Sequence, residues 1–355
     1  MEINIGKRKY SQKGPLYFIA DIGANHDGDL DRALMLIELA KEAGADAAKF
    51  QNFKAEKIVS KAGFSNMGGK LSHQANWKKP VFEIYQDASI SQDWTPILKK
   101  KCDEVGIDYF TSAYDFDSVD HVAPYVDVFK IGSGDVTWTD MLSYTAKKGK
   151  PVIVASGASS MEDVERAMGA LQAETDKIVL MQCNTNYTGS AENFKYIHLN
   201  VLKAFARKYP DVILGLSDHT TGHATTLGAI ALGATFIEKH FTEDNSRPGP
   251  DHAFAMNPQT WRDMVDRSNE LFLALGTEEK KIEDNEKQTV LVQRRGIRYA
   301  KTLPAGHVIT ADDLFPLRPY HVEGLHPYET DKLIGQKLKT GVEADQYTSL
   351  NDLQQ

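Results

Sequence analysis

The sequence predicts an α/β chain: a (β/α)8 TIM barrel followed by a small C-terminal domain. Three observations carry this reading. Eight short β-branched or aliphatic runs alternate with amphipathic stretches from residue 16 to about residue 275. These runs are almost continuously apolar, as strands covered on both faces are. After Gly276 the alternation stops, and a charged stretch leads into short strands and tight turns. Eight strand-helix units favour a closed barrel; the rival is an open doubly wound sheet of nine strands, one of them missed.

The strand candidates begin with "LYFIADIG" from Leu16, "ADAAKFQ" from Ala45, "GIDYFTSA" from Gly106 and "VDVFKIGS" from Val126. "PVIVASG" from Pro151, "KIVLMQCN" from Lys177, "DVILGLSDH" from Asp211 and "ATFIEKHF" from Ala234 complete the eight. The helical stretches between them carry start and stop signals. Asp29 is placed to cap "LDRALMLIELAKEAG", which Gly44 ends. Ser160 and Asp163 have capping-box spacing, and Asn257 precedes Pro258 at the head of the last long helix. About forty residues separate "KFQ" from "SQDWTPILKKKCDEVG", including "KAGFSNMGGKLSHQANWKK". Connections of that length are usually lids or binding elements. The expected organisation is a barrel over 1–276, a linker over 277–289 and a small domain over 290–355.

The totals narrow the function. Over 355 residues the formal charge is −8, which argues against a general binder of nucleic acid or of anionic membranes. Two cysteines, neither in a CxxC pair, fit a reducing compartment and exclude a cysteine zinc site. The first residues, "MEINIGKRKYSQKG", lack a signal-type apolar core, and no run of 18 apolar residues occurs. A cytoplasmic protein is the expectation.

In such a barrel, chemistry gathers where strands end. Asp21, Asn25 and His26 follow the first strand; Lys49 and Gln51 end the second; Ser112 ends the third. Lys130, Ser133 and Asp135 end the fourth, Ser156 the fifth, and Asn184, Asn186 and Tyr187 follow the sixth. Ser217, Asp218 and His219 end the seventh, and Glu238, Lys239 and His240 the eighth. Lys49 and Lys130, read as ends of adjacent strands, are buried ammonium groups that call for a partner, and an anionic ligand supplies one. The glycine-rich "GSGD" and "SGASS" offer backbone N–H groups beside them. His219 and His240 end consecutive strands and point to a divalent metal such as Mn²⁺, Mg²⁺, Fe²⁺ or Co²⁺, with no cysteine in the set. His26 and His252 are candidates for contact or supporting roles. The residues alone imply a barrel enzyme that holds a phosphorylated or carboxylated anion and polarises a carbonyl with a metal.

The motifs "IADIGANHDGD", "AGADAAKFQ", "FKIGSGD", "LSDHT", "IEKHFT" and "RPGPDH", in this order, resemble the sialic acid synthase (NeuB-like) family. The tail "YAKTLPAGHVITADDLFPLRP…IGQKL" is similar to the antifreeze-like SAF domain attached to those synthases. The resemblance spans about residues 15 to 350. It implies a transferase that condenses phosphoenolpyruvate with the open-chain aldehyde of an N-acylated amino sugar, giving a nine-carbon 2-keto acid and phosphate. Carried over, Lys49, Lys130, Ser133, Ser156, Asn184 and Ser217 hold phosphoenolpyruvate, and His219 and His240 bind the metal, Mn²⁺ or Mg²⁺. Asp21 and Asp135 handle protons and water, with Lys49 and Lys130 as further catalytic groups. Gln51, Tyr187, Asp251 and Arg318 meet the sugar, Arg318 reaching the partner subunit's site in a domain-swapped homodimer. The family usually carries glutamate at Asp21 and Asp135. The loops "RPYHVEGLHPYE" and "QCNTNYTGSAENF" also depart from its pattern, so N-acetylmannosamine is a default acceptor beside the precursors of legionaminic and pseudaminic acid. A metal-dependent aldolase or lyase and a non-catalytic carbohydrate-binding barrel are the more distant readings.

Overall fold

In the computed structural model, which describes residues 1–67, 69, 74–75 and 77–354, the chain begins with a hairpin that its composition does not announce. Strands β1 (Glu2–Ile5) and β2 (Arg8–Ser11) pair antiparallel. Each has only four residues, too few for a clear alternation, yet Ile3, Ile5 and Tyr10 are buried. Tyr10 meets Tyr17 and Phe236 edge-on at 4.8 and 5.5 Å, so the hairpin closes the N-terminal end of the barrel. Arg8 ties it down through Asp108 at 2.8 Å and Asp46 at 2.5 Å.

All eight strand candidates form. They are β3 (Tyr17–Asp21), β4 (Ala47–Asn52), β5 (Asp108–Ala113), β6 (Phe129–Ile131), β7 (Val152–Ala155), β8 (Ile178–Cys183), β9 (Ile213–Asp218) and β10 (Ala234–His240). Each pairs parallel with its sequence neighbours, and β10 returns to β3 to close the barrel. The open-sheet alternative is thereby excluded. Closure leaves no unpaired strand edge, and side chains such as Ile19, Phe50, Phe110, Ile153 and Ile237 are fully excluded from water.

The helices in chain order are α1 (Leu30–Glu42), α2 (Ala55–Ile58), α3 (Lys61–Asn66), α4 (Val81–Ala88), α5 (Trp94–Val105) and α6 (Phe116–Val122). α7 (Thr139–Ala146), α8 (Met161–Gln172), α9 (Val201–Lys208), α10 (Ala224–Ala231) and α11 (Pro258–Leu275) come next. Their ends obey the local signals: Asp29 caps α1, Ser160 and Asp163 close a capping box on α8, and Asn257 with Thr260 does so on α11. Each cap satisfies helix N–H groups that would otherwise lack partners and contributes about 1 kcal/mol. The long connection after β4 holds α2, α3 and α4; residues 68, 70–73 and 76 of it lie outside the described residues.

The chain divides into two compact units, Met1–Gly276 and Thr277–Gln355. The second has its own core, with Ile297, Tyr299, Leu303, Leu333 and Leu338 at its centre. β11 (Gly296–Tyr299) and β12 (Leu314–Leu317) pair antiparallel within it. The charged stretch after Gly276 is irregular at first, then forms a 3₁₀ turn (Asp284–Glu286) and helix α12 (Lys287–Gln293). Among the described residues no helix is long and apolar enough to cross a membrane.

Candidate active site

The strand pleat sorts the polar groups at the C-terminal mouth. Successive side chains on a strand face opposite sides, so Ser217 and His219 line the interior cavity while Asp218 between them does not. On β10, Glu238 and His240 line it, while Lys239 turns away to Asp218 at 2.5 Å and the Thr220 carbonyl at 2.6 Å. Asp218 and Lys239, almost fully buried, therefore form a structural pair between barrel and helices. The cavity measures ≈ 380 Å³, within the usual range for small-molecule sites.

Lys49 and Lys130 both line it, but on β4 and β6, with β5 between them, not on adjacent strands. Nor do they lack protein partners. Lys49 donates to Asp21 Oδ2 at 2.6 Å, and Lys130 lies 3.1 Å from Glu238 Oε1, which also accepts from the Ser217 hydroxyl at 3.0 Å. Burial pushes the Lys49 ammonium down, but Asp21 and Glu238 outweigh it and hold its pKa above the ordinary value. Burial likewise opposes ionisation of Glu238, but Lys130 and Lys49 overcome it and bring its pKa down to about 2. Removing one partner from such a pair strands a buried charge, at a cost of about 3–5 kcal/mol.

The pairing is incomplete in a way that points to a ligand. Asp21 Oδ1, Glu238 Oε2 and His240 Nδ1 are buried without a hydrogen-bond partner. Native structures rarely leave such atoms unmatched. The lining holds two ammonium groups against four carboxylates, Asp21, Asp135, Glu238 and Asp251. That excess of negative charge opposes the entry of an anion, and a bound cation would offset it.

The two histidines fit the cation. Their ring centroids are 5.4 Å apart, and both are buried. His219 Nδ1 lies 2.9 Å from the Asn184 carbonyl, an acceptor that holds the ring proton on Nδ1 and leaves Nε2 free to ligate. Burial, reinforced by His240, lowers the His219 pKa to about 4, so a neutral imidazole is available at neutral pH. Asp21 Oδ2 lies 3.6 Å from His240 Nε2 and Asp251 Oδ2 3.8 Å from its Nδ1. Among the described residues no three histidine, cysteine or carboxylate groups are arranged to hold an ion by themselves. Oxygen from water or substrate must complete the shell. Gly23 marks the point of convergence: a Cβ there would stand 3.1 Å from Asp251 Oδ2, 3.2 Å from His240 Nδ1 and 3.3 Å from Gln51 Nε2.

Asp135 lines the cavity at the end of a 3₁₀ turn (Ser133–Asp135), and burial raises its pKa to about 6 although Lys130 opposes the rise. Ser133, Gln51, Tyr187 and Asp251 line it too. Two expected anion-binding residues do not. Ser156 donates its hydroxyl to the Met181 carbonyl at 2.8 Å, and the Asn184 amide donates to the Tyr196 carbonyl at 3.3 Å. Both border a separate depression over β7, β8 and α8. Arg318 is exposed in the second unit, where its Nε donates to the Gln293 carbonyl at 2.6 Å. His26 and His252 also lie outside the cavity; His26 accepts from the Gly28 N–H at 3.0 Å and meets Trp94 edge-on.

Several lining groups went unassigned in the sequence. Glu238 was legible in principle, since it stands two residues before His240 and shares its face. Cys183 also lines the cavity; it ends an apolar strand and reads locally as packing. Tyr85, Trp77, Phe64, Ile58 and Val59 arrive from the long connection, and Tyr114 from the β5 end, with no local signal to place them there.

A NeuB family model matches residues 36–280 and a SAF domain model residues 294–354. The chain is 32% identical to the N,N'-diacetyllegionaminic acid synthase of Legionella pneumophila, with 92% of each chain covered. It is 31% identical to human N-acetylneuraminate-9-phosphate synthase, over 93% of this chain and 90% of the human one. The crystal structure of the sialic acid synthetase of Leptospira borgpetersenii superposes with a TM-score of 0.71 at 26% identity, covering 82% of this chain and 95% of that one. With its barrel, its paired lysines and its two inward histidines in place, the chain belongs to the NeuB family of phosphoenolpyruvate-dependent nonulosonic acid synthases and carries a SAF domain over residues 294–354.

Proposed function

We propose that this cavity joins phosphoenolpyruvate to the aldehyde of an N-acylated amino sugar, with Lys49, Lys130, Ser133 and Ser217 holding the anion. The convergence of both lysines and both histidines on one cavity carries the reading. C3 of phosphoenolpyruvate attacks the aldehyde carbon and a C–C bond forms. Water then adds at C2, the C2–O bond to phosphate breaks, and phosphate leaves with a 2-keto acid as product. Asp135 takes the proton of that water. Asp21, held by Lys49, serves the protons at the new alkoxide. Gln51, Tyr187 and Asp251 orient the sugar. Bound between His219 and His240, a divalent cation, Mn²⁺ or Mg²⁺, would supply Lewis-acid polarisation of the aldehyde. Ser156 and Asn184, on the separate depression, are assigned no contact with the substrates.

A Schiff-base lyase fits less well, because Lys49 is held protonated by Asp21 and a protonated amine is not a nucleophile. For the acceptor, the connection after β4 supports a choice. Ile58, Val59, Phe64, Trp77, Ile84 and Ala88 give the cavity an apolar wall. Such a wall suits a methyl at C6 and a second acylamido group better than the free hydroxyls of N-acetylmannosamine. The favoured acceptors are therefore diacetamido-trideoxy hexoses, and two similar enzymes, of Legionella pneumophila and (28% identical) of Campylobacter jejuni, are named as synthases of N,N'-diacetyllegionaminic and pseudaminic acid. Phosphate release from phosphoenolpyruvate with Mn²⁺ tests this. A higher kcat/KM for diacetamido-trideoxy hexoses than for N-acetylmannosamine is expected. The reverse order overturns the acceptor; no release with any N-acyl aldose overturns the reaction.

A further inference from the structure

After β10 the chain makes an excursion that carries Asp251 to the cavity. Its base is pinned: Phe241 and Met256 form a bridge, Met256 N–H donating to the His240 carbonyl at 2.8 Å and Thr242 N–H to the Met256 carbonyl at 3.0 Å. Within the excursion, His252 is fully buried yet does not line the cavity. Its ring spans two elements. Nδ1 lies 2.7 Å from the Thr242 hydroxyl at the base of the loop, and Nε2 lies 3.0 Å from Asp27 Oδ1 after β3. A carboxylate only accepts, so Nε2 carries the proton. Asp27 also receives Arg247 from the loop's first half, Nη2 at 2.8 Å and Nε at 3.1 Å. Gly249 packs on the ring: a Cβ there would fall 2.6 Å from His252 Cδ2. Asp251, one residue away, accepts from the Ala24 N–H at 3.4 Å and stands beside His240.

We propose that the Asp27–His252–Thr242 relay is a positioning device. It locks the β10 excursion onto the β3 loop and so sets where the Asp251 carboxylate meets the acceptor sugar. Two hydrogen bonds on opposite sides of one ring leave it no freedom to rotate, and Arg247 prevents Asp27 from following a displaced ring. The neighbouring Asp251 then inherits a fixed backbone. Misplacement of such a group by about 1 Å can cost roughly a hundredfold in rate. This inference rests on the proposed condensation for its kinetic arm only.

The test uses the full chain with His252→Gln and Asp27→Asn, each alone and combined with Asp251→Ala. Acceptor KM should rise roughly tenfold to a hundredfold in either single variant, with the phosphoenolpyruvate KM within about twofold. In the Asp251→Ala background the same changes should add almost nothing, because groups acting as one unit are non-additive. An equal loss in both backgrounds, a matching rise in both KM values, or no change overturns the proposal. Amide hydrogen exchange provides an arm that needs no turnover. Residues 243–255 should exchange faster in both variants while the barrel strands hold their protection. Unchanged exchange there also overturns the clamp. If the unaltered chain turns over no acceptor, the condensation fails and the exchange result decides the clamp alone.

Discussion

Asp135 is the residue on which the chemistry can be read most directly. A carboxylic acid lifted to about 6 by burial is a useful base near neutrality, close to the operating pH that general-base efficiency favours. In the proposed role as base the ionised form is the active one, so kcat/KM should be level above about pH 6 and fall about tenfold per unit below it. Asp135→Asn should remove that acid limb and lower kcat by about 10²–10⁴. An acid limb that persists unchanged in the variant would show that another group governs it. The lysines illustrate the opposite case. Lys49 and Lys130 are recognisable from sequence as buried cations at strand ends, yet their partners Asp21 and Glu238 lie 28 and 108 residues away in the chain. Local pattern cannot pair them: Asp21 meets Lys49 directly across the neighbouring strands β3 and β4, whereas only barrel closure brings Glu238 on β10 within reach of Lys130 on β6.

At the scale of elements, the connection between β4 and α5 does what its length suggests. Three short helices, α2 to α4, wall the cavity with apolar side chains, and Trp77 and Tyr85 stand 6.4 Å apart between centroids. An apolar wall discriminates substituents by about 1–3 kcal/mol each. Trp77→Ala should therefore raise the acceptor KM by roughly tenfold or more while leaving that of phosphoenolpyruvate within about twofold. Equal effects on both substrates in steady-state kinetics would remove the wall from the specificity argument. The eight barrel strands and the caps of α1, α8 and α11 were legible because they depend on residues within a few positions of one another. The β1–β2 hairpin was not, since its Ile3, Ile5 and Tyr10 acquire meaning only against the barrel end they cover.

For the molecule as a whole, the second unit poses the remaining mechanistic question. We propose, following the family resemblance, that Arg318 completes the acceptor site of a partner subunit in a domain-swapped dimer. A chain carrying Arg318→Ala mixed with one carrying Asp135→Asn should then regain activity, because one of the two composite sites is intact. With one of two sites intact, roughly half the normal activity per heterodimer is the upper bound expected from such pairing. A confirmed heterodimer without recovery, measured by phosphate release, would sink the swapped arrangement.

The sequence by itself determined the eight-strand barrel, the small domain that follows it in the chain, and most of the residues at the mouth: Asp21, Lys49, Gln51, Lys130, Ser133, Asp135, Tyr187, Ser217, His219, His240 and Asp251 all line one cavity. All but Asp251 follow from periodicity, capping and the rule that strand ends carry barrel chemistry; Asp251 was implied by the family resemblance. Tertiary structure alone decided that Glu238 faces inward and Lys239 outward, that Ser156 and Asn184 turn to neighbouring carbonyls, and that His252 braces a loop. The reason is parity and distance. A strand end offers polar groups to both of its faces, and only the closed sheet, with its register set over hundreds of residues, fixes which face is the cavity.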